Sequence, residues 1–272
     1  MTDFLDFFNF SFFNRALIMS ILGGISCGII GVWILLLNIP FIGVTMAHSA
    51  FAGAIVGIAF GVNPLLSGFI FCILSAFIIG PLSDKTKLNN NMSISLLFSF
   101  TIGIAFLFIG LQQDSNAGIL TFIWGNILMT SWLDVKLSAV MIVFLLTFAF
   151  LFHRGILAVL FNREIARSCG IPEKYIFYSL LIFSSMTVSL NLHAVGGLLI
   201  YSLIALPSST AYQLTNKIKT MYLLSSLFAV GACVCGLFAS SIFDLPVGAT
   251  IIIISCILFA TSMFFSKKNV AK

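Results

Sequence analysis

The sequence predicts an all-α fold, a polytopic transmembrane helical bundle of about eight or nine spans that forms a single domain over residues 1–272. Hydrophobic residues make up 60% of the chain and charged residues only 8%, and the mean hydropathy is +1.17. Such a chain cannot fold in water alone, because it has too few polar residues to cover its surface. Its apolar residues also fall into stretches of about 20, the length that a helix needs to cross a bilayer.

The predicted spans follow one another through short connections. In chain order they cover 15–37, 43–62, 65–82, 93–112, 135–152, 175–192, 195–213, 221–241 and 246–266. No charged, Ser/Gly-rich or Pro-rich linker is long enough to form a separate soluble domain. The N-terminus lacks the basic region and the small-residue cleavage site of a signal peptide, so we expect the first span to remain in the mature protein.

The charged residues indicate how the bundle is oriented. The formal net charge is +5, but the 13 Lys and Arg lie mostly in short connections, which does not favour a nucleic-acid partner. Because positively charged loops face the cytoplasm, the clusters at 154–174, 217–219 and 267–272 place the C-terminus inside. Residues 118–129 could form a partial or re-entrant segment, which leaves open the side of the N-terminus and the choice between eight and nine spans.

One ionisable side chain, His48, stands at the head of the second predicted span. A polar group in hydrocarbon is costly and usually faces the interior of a bundle or a transport pathway. His48 is therefore the first candidate for function. The alternative is a histidine that only hydrogen-bonds a neighbouring helix, and the pattern alone does not decide between the two.

Small residues recur every four positions along the same span, at Ser49, Gly53, Gly57 and Gly61. A stripe of this kind lets the backbones of two membrane helices approach closely. At about 100° of rotation per residue, the stripe lies roughly 100° to 220° around the helix from His48. We therefore expect the stripe to pack against another helix, which leaves His48 outside that contact and able to face a cavity.

The polar connection between the fifth and sixth spans has the pattern of a short cytoplasmic helix at about 161–171. Its N-cap, its C-cap and its stop residue would be Asn162, Gly170 and Pro172. The apolar residues available for contact would be Ile165 and Ala166. The exposed residues would be the charged ones, Arg163, Glu164 and Arg167. A helix this short is not stable alone, so it needs a partner surface from the membrane domain or from a second subunit.

This segment resembles the cytoplasmic loop E-x-A-x-x-x-G of ABC importer permeases, which docks on the ATPase subunit, since residues 164–170 read Glu-Ile-Ala-Arg-Ser-Cys-Gly. Residues 43–53 are similar to the G-D-x-x-(A/S)-H-S segment of the permeases that import zinc, manganese or iron. Further similar blocks follow in the order of that family at 63–65, 124–128, 195–199 and 206–211. The resemblance therefore extends over nearly the whole chain.

The resemblance implies the membrane-spanning permease subunit of an ATP-driven importer of a divalent transition metal, namely zinc, manganese or iron. Such a permease is a multi-pass protein of the bacterial plasma membrane. It works as a dimer with a second copy or a paralogue, together with separate ATPase subunits and an extracytoplasmic metal-binding protein. The chain has no G-x-x-x-x-G-K-[ST] phosphate loop. We therefore expect no enzymatic activity from it and no permanently bound cofactor, the metal being the transported substrate.

The resemblance also assigns roles to residues. The residues that would couple the permease to the ATPase are Arg163, Glu164, Ala166, Arg167 and Gly170. The candidate metal ligand is His48, and His193 is a lesser candidate. In the family an Asp precedes the first histidine by four residues, whereas this chain has Val44. Two His48 side chains across a dimer axis, carboxylates from a partner, or a different specificity would each account for the change.

The alternative function is an ion-coupled secondary transporter that acts without an ATPase. Such transporters usually bury acidic residues for coupling, but the eight acidic residues here lie in loops or near the ends of spans. An intramembrane enzyme would need a constellation such as H-E-x-x-H or a paired nucleophile and base, and the sequence shows none. Both observations favour the ATP-driven importer.

Overall fold

The computed structural model describes residues 11–86, 90–111, 127 and 130–266, and within these ranges the chain forms helices and no strands. The helices are, in chain order, α1 (Ser11–Leu36), α2 (Ile42–Ala59), α3 (Pro64–Thr86), α4 (Asn90–Leu111), α5 (Trp132–Leu151), α6 (His153–Phe161), α7 (Arg163–Ser168), α8 (Glu173–Val195), α9 (Gly197–Leu214), α10 (Ile218–Phe243) and α11 (Val247–Phe264). The predicted all-α class is confirmed, and each predicted span corresponds to one helix whose ends lie within a few residues of the prediction.

Eight of the described helices are long and apolar enough to cross a membrane, namely α1 to α5, α8, α10 and α11. The predicted span at 195–213 forms α9, which contains Pro207 and is less apolar because polar residues follow that proline. The segment 118–129, for which the sequence left a re-entrant structure open, lies outside the described residues except for Ile127. The prediction of a multi-pass membrane bundle is confirmed.

Helix α1 lies at the centre of the bundle and packs against α5, α8, α9 and α10. It approaches α10 closely because two of its glycines face that helix. A Cβ atom on Gly24 would come within 2.8 Å of the Val230 backbone, and one on Gly28 within 2.6 Å of the Ser226 backbone. The hydroxyl of Ser225 also donates a hydrogen bond of 2.8 Å to the carbonyl of Gly28. Close packing of small residues and polar contacts of this kind hold membrane helices together.

The contact between the end of α1 and the start of α10 gives the orientation of α1 in the membrane. The indole Nε1 of Trp33, near the end of α1, donates a hydrogen bond of 2.8 Å to the hydroxyl of Tyr222, near the start of α10. Lys217 and Lys219 stand at that same start, and positively charged ends face the cytoplasm. The end of α1 is therefore cytoplasmic, and its first residue, Ser11, lies toward the outer side.

The small-residue stripe on α2 packs against α3 over part of its predicted length. A Cβ atom on Gly53 would approach Phe71 to 2.6 Å, and one on Gly57 would approach Ser67 to 2.8 Å. Ser49 is fully buried. The prediction is wrong for Gly61, because α2 ends at Ala59 and this glycine has a φ of +67° in the turn that follows, with no atom within 4 Å of an added Cβ.

Candidate functional site

The imidazole of His48 has one defined hydrogen bond. Its Nδ1 atom lies 2.9 Å from the backbone carbonyl oxygen of Val44. Because a carbonyl oxygen only accepts, Nδ1 donates in this bond, and in the neutral ring the lone pair then lies on Nε2. Histidines that bind metals are commonly held in this way, with one ring nitrogen bonded to a carbonyl and the other facing the ion.

The ring of His48 packs edge-on against Phe98 of α4, with the ring centroids 5.0 Å apart and the planes at 75°. The residue is half-buried, so one side of the imidazole is covered by α4 and α2 itself. Among the described residues no group of three or more His, Cys, Asp and Glu side chains is close enough together to hold a metal ion. His48 therefore stands without a set of neighbouring protein ligands in the described part of the chain.

His193, the second sequence candidate, is placed on the last turn of α8, just before a break in the helix. The break falls at Gly196, whose φ of 94° and ψ of 149° favour glycine over any other residue. This glycine is buried, so α8 and α9 meet inside the bundle. Gly196 is therefore the turn that joins two consecutive helices, each of which corresponds to one predicted span.

A buried polar group that the sequence did not single out lies between α1 and α8. Asn191 is 2% exposed. Its Nδ2 donates a hydrogen bond of 2.8 Å to the carbonyl of Thr187 and lies 3.5 Å from the hydroxyl of Ser26. A Cβ atom on Gly23 would lie 2.5 Å from the Asn191 Oδ1 atom, so a larger residue at this point of α1 would force the amide to shift.

Several buried oxygens on α1 and α8 are unsatisfied. Oδ1 of Asn191 and the hydroxyl oxygens of Ser20 and Thr187 are buried and have no hydrogen-bond partner among the described residues. Buried polar atoms are nearly always paired, so each exception calls for an explanation. Inside a membrane bundle, such atoms commonly line a path for a polar cargo.

The short helix α7 has both of the caps that the sequence predicts. The side chain of Asn162 accepts hydrogen bonds from the backbone N–H groups of Glu164 at 2.8 Å and Ile165 at 3.1 Å. At the other end Gly170 has a φ of +77°, which an L side chain rarely adopts. The N–H groups of Gly170 and Ile171 then bond the last carbonyls of the helix, as in a Schellman motif. Both ends of α7 are therefore closed by local hydrogen bonds.

Helix α7 is fastened to the start of α8 by a buried carboxylate. The Glu173 side chain is 2% exposed. It accepts hydrogen bonds from Nε of Arg163 at 3.0 Å and from Nε of Arg167 at 3.1 Å. The Arg163 guanidinium also lies 3.9 Å from the ring centroid of Phe177, within range of a cation–π contact. We call this set, Arg163, Arg167, Glu173 and Phe177, the α7–α8 clamp.

The clamp corrects the predicted faces of α7. Arg163 was expected to be exposed, but only 20% of its side chain is accessible because Glu173 and Phe177 cover it. Ala166 was expected to contact a surface of the membrane domain or of a second subunit, and it is 2% exposed and packs in the chain's own core. Glu164 and Arg167 are exposed as predicted, and Ile165 is exposed and available for contact. The surface that α7 offers to a partner is therefore narrower than the sequence indicated.

Residues 9–266 match the family model described as the ABC 3 transport family. The chain is 29% identical over 270 residues to the "Manganese transport system membrane protein MntC" of Halalkalibacterium halodurans, covering 99% of this chain and 92% of that protein. It is 25% identical over 261 residues to the "Chelated iron transport system membrane protein YfeD" of Yersinia pestis, covering 95% of this chain and 87% of that protein.

A solved structure has the same fold. The chain is similar to a chain of PsaBC from Streptococcus pneumoniae, solved in complex with Fab, with a TM-score of 0.87 and 25% sequence identity. The similarity covers 99% of this chain and 98% of that chain. Because the family model spans nearly the whole sequence and the fold agrees from end to end, the chain belongs to the ABC 3 transport family.

Proposed function

We propose that this chain is the membrane-spanning permease subunit of an ATP-driven importer of a divalent transition metal, with manganese as the favoured cargo and iron as the second candidate. Membership of the ABC 3 transport family supports the transport role. The names of the relatives in Halalkalibacterium halodurans and Yersinia pestis, a manganese and a chelated iron transport protein, support this choice of metals. Zinc is the third metal that the sequence resemblance implies.

The observation that carries the proposal is the set of unpaired buried oxygens on α1 and α8. The oxygens of Asn191, Ser20 and Thr187 are buried and unsatisfied. Neutral oxygen donors suit hard dications such as Mn²⁺, and they bind an ion less tightly than carboxylates, which suits a cargo that must leave again. His48 would add a borderline nitrogen ligand through its free Nε2 lone pair. We therefore expect these residues to provide transient stations for the metal rather than a permanent site.

The coupling of transport to ATP would run through the α7–α8 clamp. The exposed side chains Phe161 and Ile165 project from the cytoplasmic end, 84% and 52% accessible, and would meet the ATPase subunit together with Glu164. A displacement of α7 would pass to α8 through the two arginine bonds to Glu173. Because Asn191 lies 18 residues further along α8, about 27 Å away, the same rigid helix joins the ATPase contact to the buried oxygens.

The remaining partners follow from the same role. The permease would work as a dimer, with a second copy or a paralogue, and would receive metal from an extracytoplasmic binding protein. ATP would be bound and hydrolysed only by the separate ATPase subunits, since this sequence has no phosphate loop. The metal is the substrate that passes through and is not a resident cofactor.

The test is uptake by the reconstituted transporter. The permease and its cognate ATPase would be placed in liposomes, and entry of radioactive Mn²⁺ would be measured with and without ATP. We expect uptake that requires ATP, that is lost with Asn191→Leu, and that persists with Thr147→Val, which removes an exposed hydroxyl on α5. Uptake by the permease alone, driven by an ion gradient, would overturn the proposal in favour of a secondary transporter.

A further inference from the structure

Two adjoining clefts lie at the cytoplasmic edge of the bundle. The larger has a volume of about 760 Å³ and opens between the end of α5 and the starts of α6, α8 and α10. Among the described residues, its lining carries three basic side chains, His153, Arg154 and Lys219, and no acidic one. The nearest acidic residue along the chain, Glu173, is turned away into its bonds with the arginines of the α7–α8 clamp. The larger cleft is therefore a basic pocket.

The smaller cleft, about 230 Å³, continues from the larger one toward the middle of the membrane. The two share Phe150 and His153 as walls. Beyond these the smaller cleft is lined mainly by apolar side chains of α5 and α1, among them Leu146 and Ala149. Since Leu146 precedes Phe150 by four residues on α5, it lies about 6 Å deeper along the axis of that helix. The pair of clefts is thus basic at the cytoplasmic surface and apolar below it.

We propose that these clefts bind an anionic phospholipid of the cytoplasmic leaflet. The phosphate would lie among Arg154, Lys219 and His153, and an acyl chain would follow the apolar cleft past Ala149. Basic pockets between membrane helices on the cytoplasmic side are suited to acidic headgroups. A soluble anion would fit only the basic half and an apolar peptide only the lower half, whereas a phospholipid has a group that suits each half.

The position of the clefts also points to lipid rather than to a protein subunit. Phe150 stands in the last turn of α5 and is 83% exposed on the face of a membrane span, so the shared wall opens toward the hydrocarbon. The clefts touch the start of α8 through Pro172 and Ile176, one turn from the clamp. A bound lipid would therefore brace the junction through which α7 is fastened to the membrane helices.

The experiment measures lipids that stay bound to the purified permease–ATPase complex. The complex would be taken from nanodiscs of phosphatidylcholine with one fifth phosphatidylglycerol, and retained lipids would be counted by native mass spectrometry. We expect selective retention of phosphatidylglycerol by the parent. The variant Arg154→Gln/Lys219→Gln should retain it roughly 25-fold less tightly, since each charge near an acidic membrane surface strengthens binding about five-fold. The matched control, Lys174→Gln/Lys217→Gln, removes the same charge from exposed positions outside the clefts and should behave as the parent.

A second pair of variants tests the apolar half and decides the question if the charge variant does not assemble. Ala149→Phe fills the smaller cleft, whereas Val143→Phe adds the same ring on an exposed face of α5. We expect loss of retained phosphatidylglycerol only with Ala149→Phe. Equal retention of both phospholipids, equal behaviour of Ala149→Phe and Val143→Phe, or displacement by millimolar inorganic phosphate would overturn the proposal. So would retention by the permease alone that vanishes in the complex, because the ATPase would then occupy the clefts.

Discussion

At the scale of single residues, the backbone carbonyl of Val44 gives His48 its chemical character. The 2.9 Å contact fixes the proton on Nδ1, and it uses a backbone atom that any residue at position 44 would supply. The replacement of the family's Asp by Val44 therefore leaves the tautomer of His48 intact. What it removes is a carboxylate one helical turn away, and with it the negative charge that would hold a dication firmly.

We predict that His48→Ala abolishes metal uptake without loss of protein from the membrane, and that Val44→Asp strengthens metal retention. An Asp four residues before a His shares its helical face, so the two side chains can contact one ion. Cellular accumulation of radioactive manganese, together with the amount of permease in the membrane, measures both effects. Phe98→Leu, which removes the ring against His48 but keeps the imidazole, should retain uptake. Unchanged uptake in His48→Ala would reduce this residue to a packing role.

A second prediction concerns the contact between Gly23 and Asn191. Gly23→Ala should lower stability by about 1–3 kcal/mol, the usual cost of overpacking, because the new Cβ would lie 2.5 Å from Oδ1. Adding Asn191→Ala should restore part of the loss, since it removes the clashing atom. Gly103→Ala is the control, because an added Cβ there has no atom within 4 Å. Thermal unfolding in detergent gives the comparison, and equal unfolding temperatures for Gly23→Ala and Gly103→Ala would contradict the structure.

At the scale of helices, local signals were predictable and distant contacts were not. The caps of α7 follow from Asn162 and Gly170 because they bond backbone groups only a few residues away. The contact of Gly23 with Asn191 joins helices far apart in the chain, and a single sequence gives no sign of it. Gly61 was wrongly assigned to the small-residue stripe because the four-residue spacing of small residues in the sequence continues past the end of α2. Arg163 was misassigned because the partner that covers it, Glu173, belongs to another helix.

The α7–α8 clamp leads to a prediction about stability. Glu173→Gln keeps the shape of the side chain but leaves the Arg163 guanidinium, 20% exposed, without its counter-ion. Removing one partner of a buried ion pair costs about 3–5 kcal/mol, and the partial exposure of Arg163 places the loss at about 3 kcal/mol or less. Glu164→Gln, an exposed position on α7, should change stability little. If the two variants unfold at the same temperature, the clamp does not hold α7 in place.

The exposed face of α7 leads to a prediction about coupling. Glu164→Lys combined with Gly170→Leu should uncouple transport from ATP hydrolysis, because it reverses an exposed charge and replaces the glycine that adopts a φ of +77°. A left-handed conformation costs an L residue about 1–2 kcal/mol, so the C-terminal cap of α7 would open. ATPase pull-down, metal-stimulated hydrolysis and metal accumulation would be compared with those of Lys174→Glu, an exposed charge reversal outside α7. Preservation of all three would show that α7 is not the coupling element.

At the scale of the whole molecule, α8 is the helix that joins the separate regions. Its first residue, Glu173, belongs to the clamp, and its last turns carry Asn191 and the break at Gly196. It packs against α1, α2 and α3 between these ends. A movement that begins at the cytoplasmic end thus reaches the buried oxygens without an intervening flexible link, as rigid-body switching requires.

If the permease transports the metal and a separate subunit hydrolyses ATP, the purified permease alone should neither bind nor hydrolyse ATP. We also predict that co-expression with its cognate ATPase gives a stable complex. A phosphate site needs the glycine-rich loop and lysine that this sequence lacks, and the described arginines nearest the cytoplasmic helix, Arg163 and Arg167, are already bonded to Glu173. Nucleotide binding and phosphate release would be measured for the permease, for the complex, and for a complex whose ATPase has lost its phosphate-loop lysine. We expect turnover only from the intact complex. Turnover by the permease alone at the same purity would place ATP chemistry in this chain and remove the need for α7 as a contact with a separate motor.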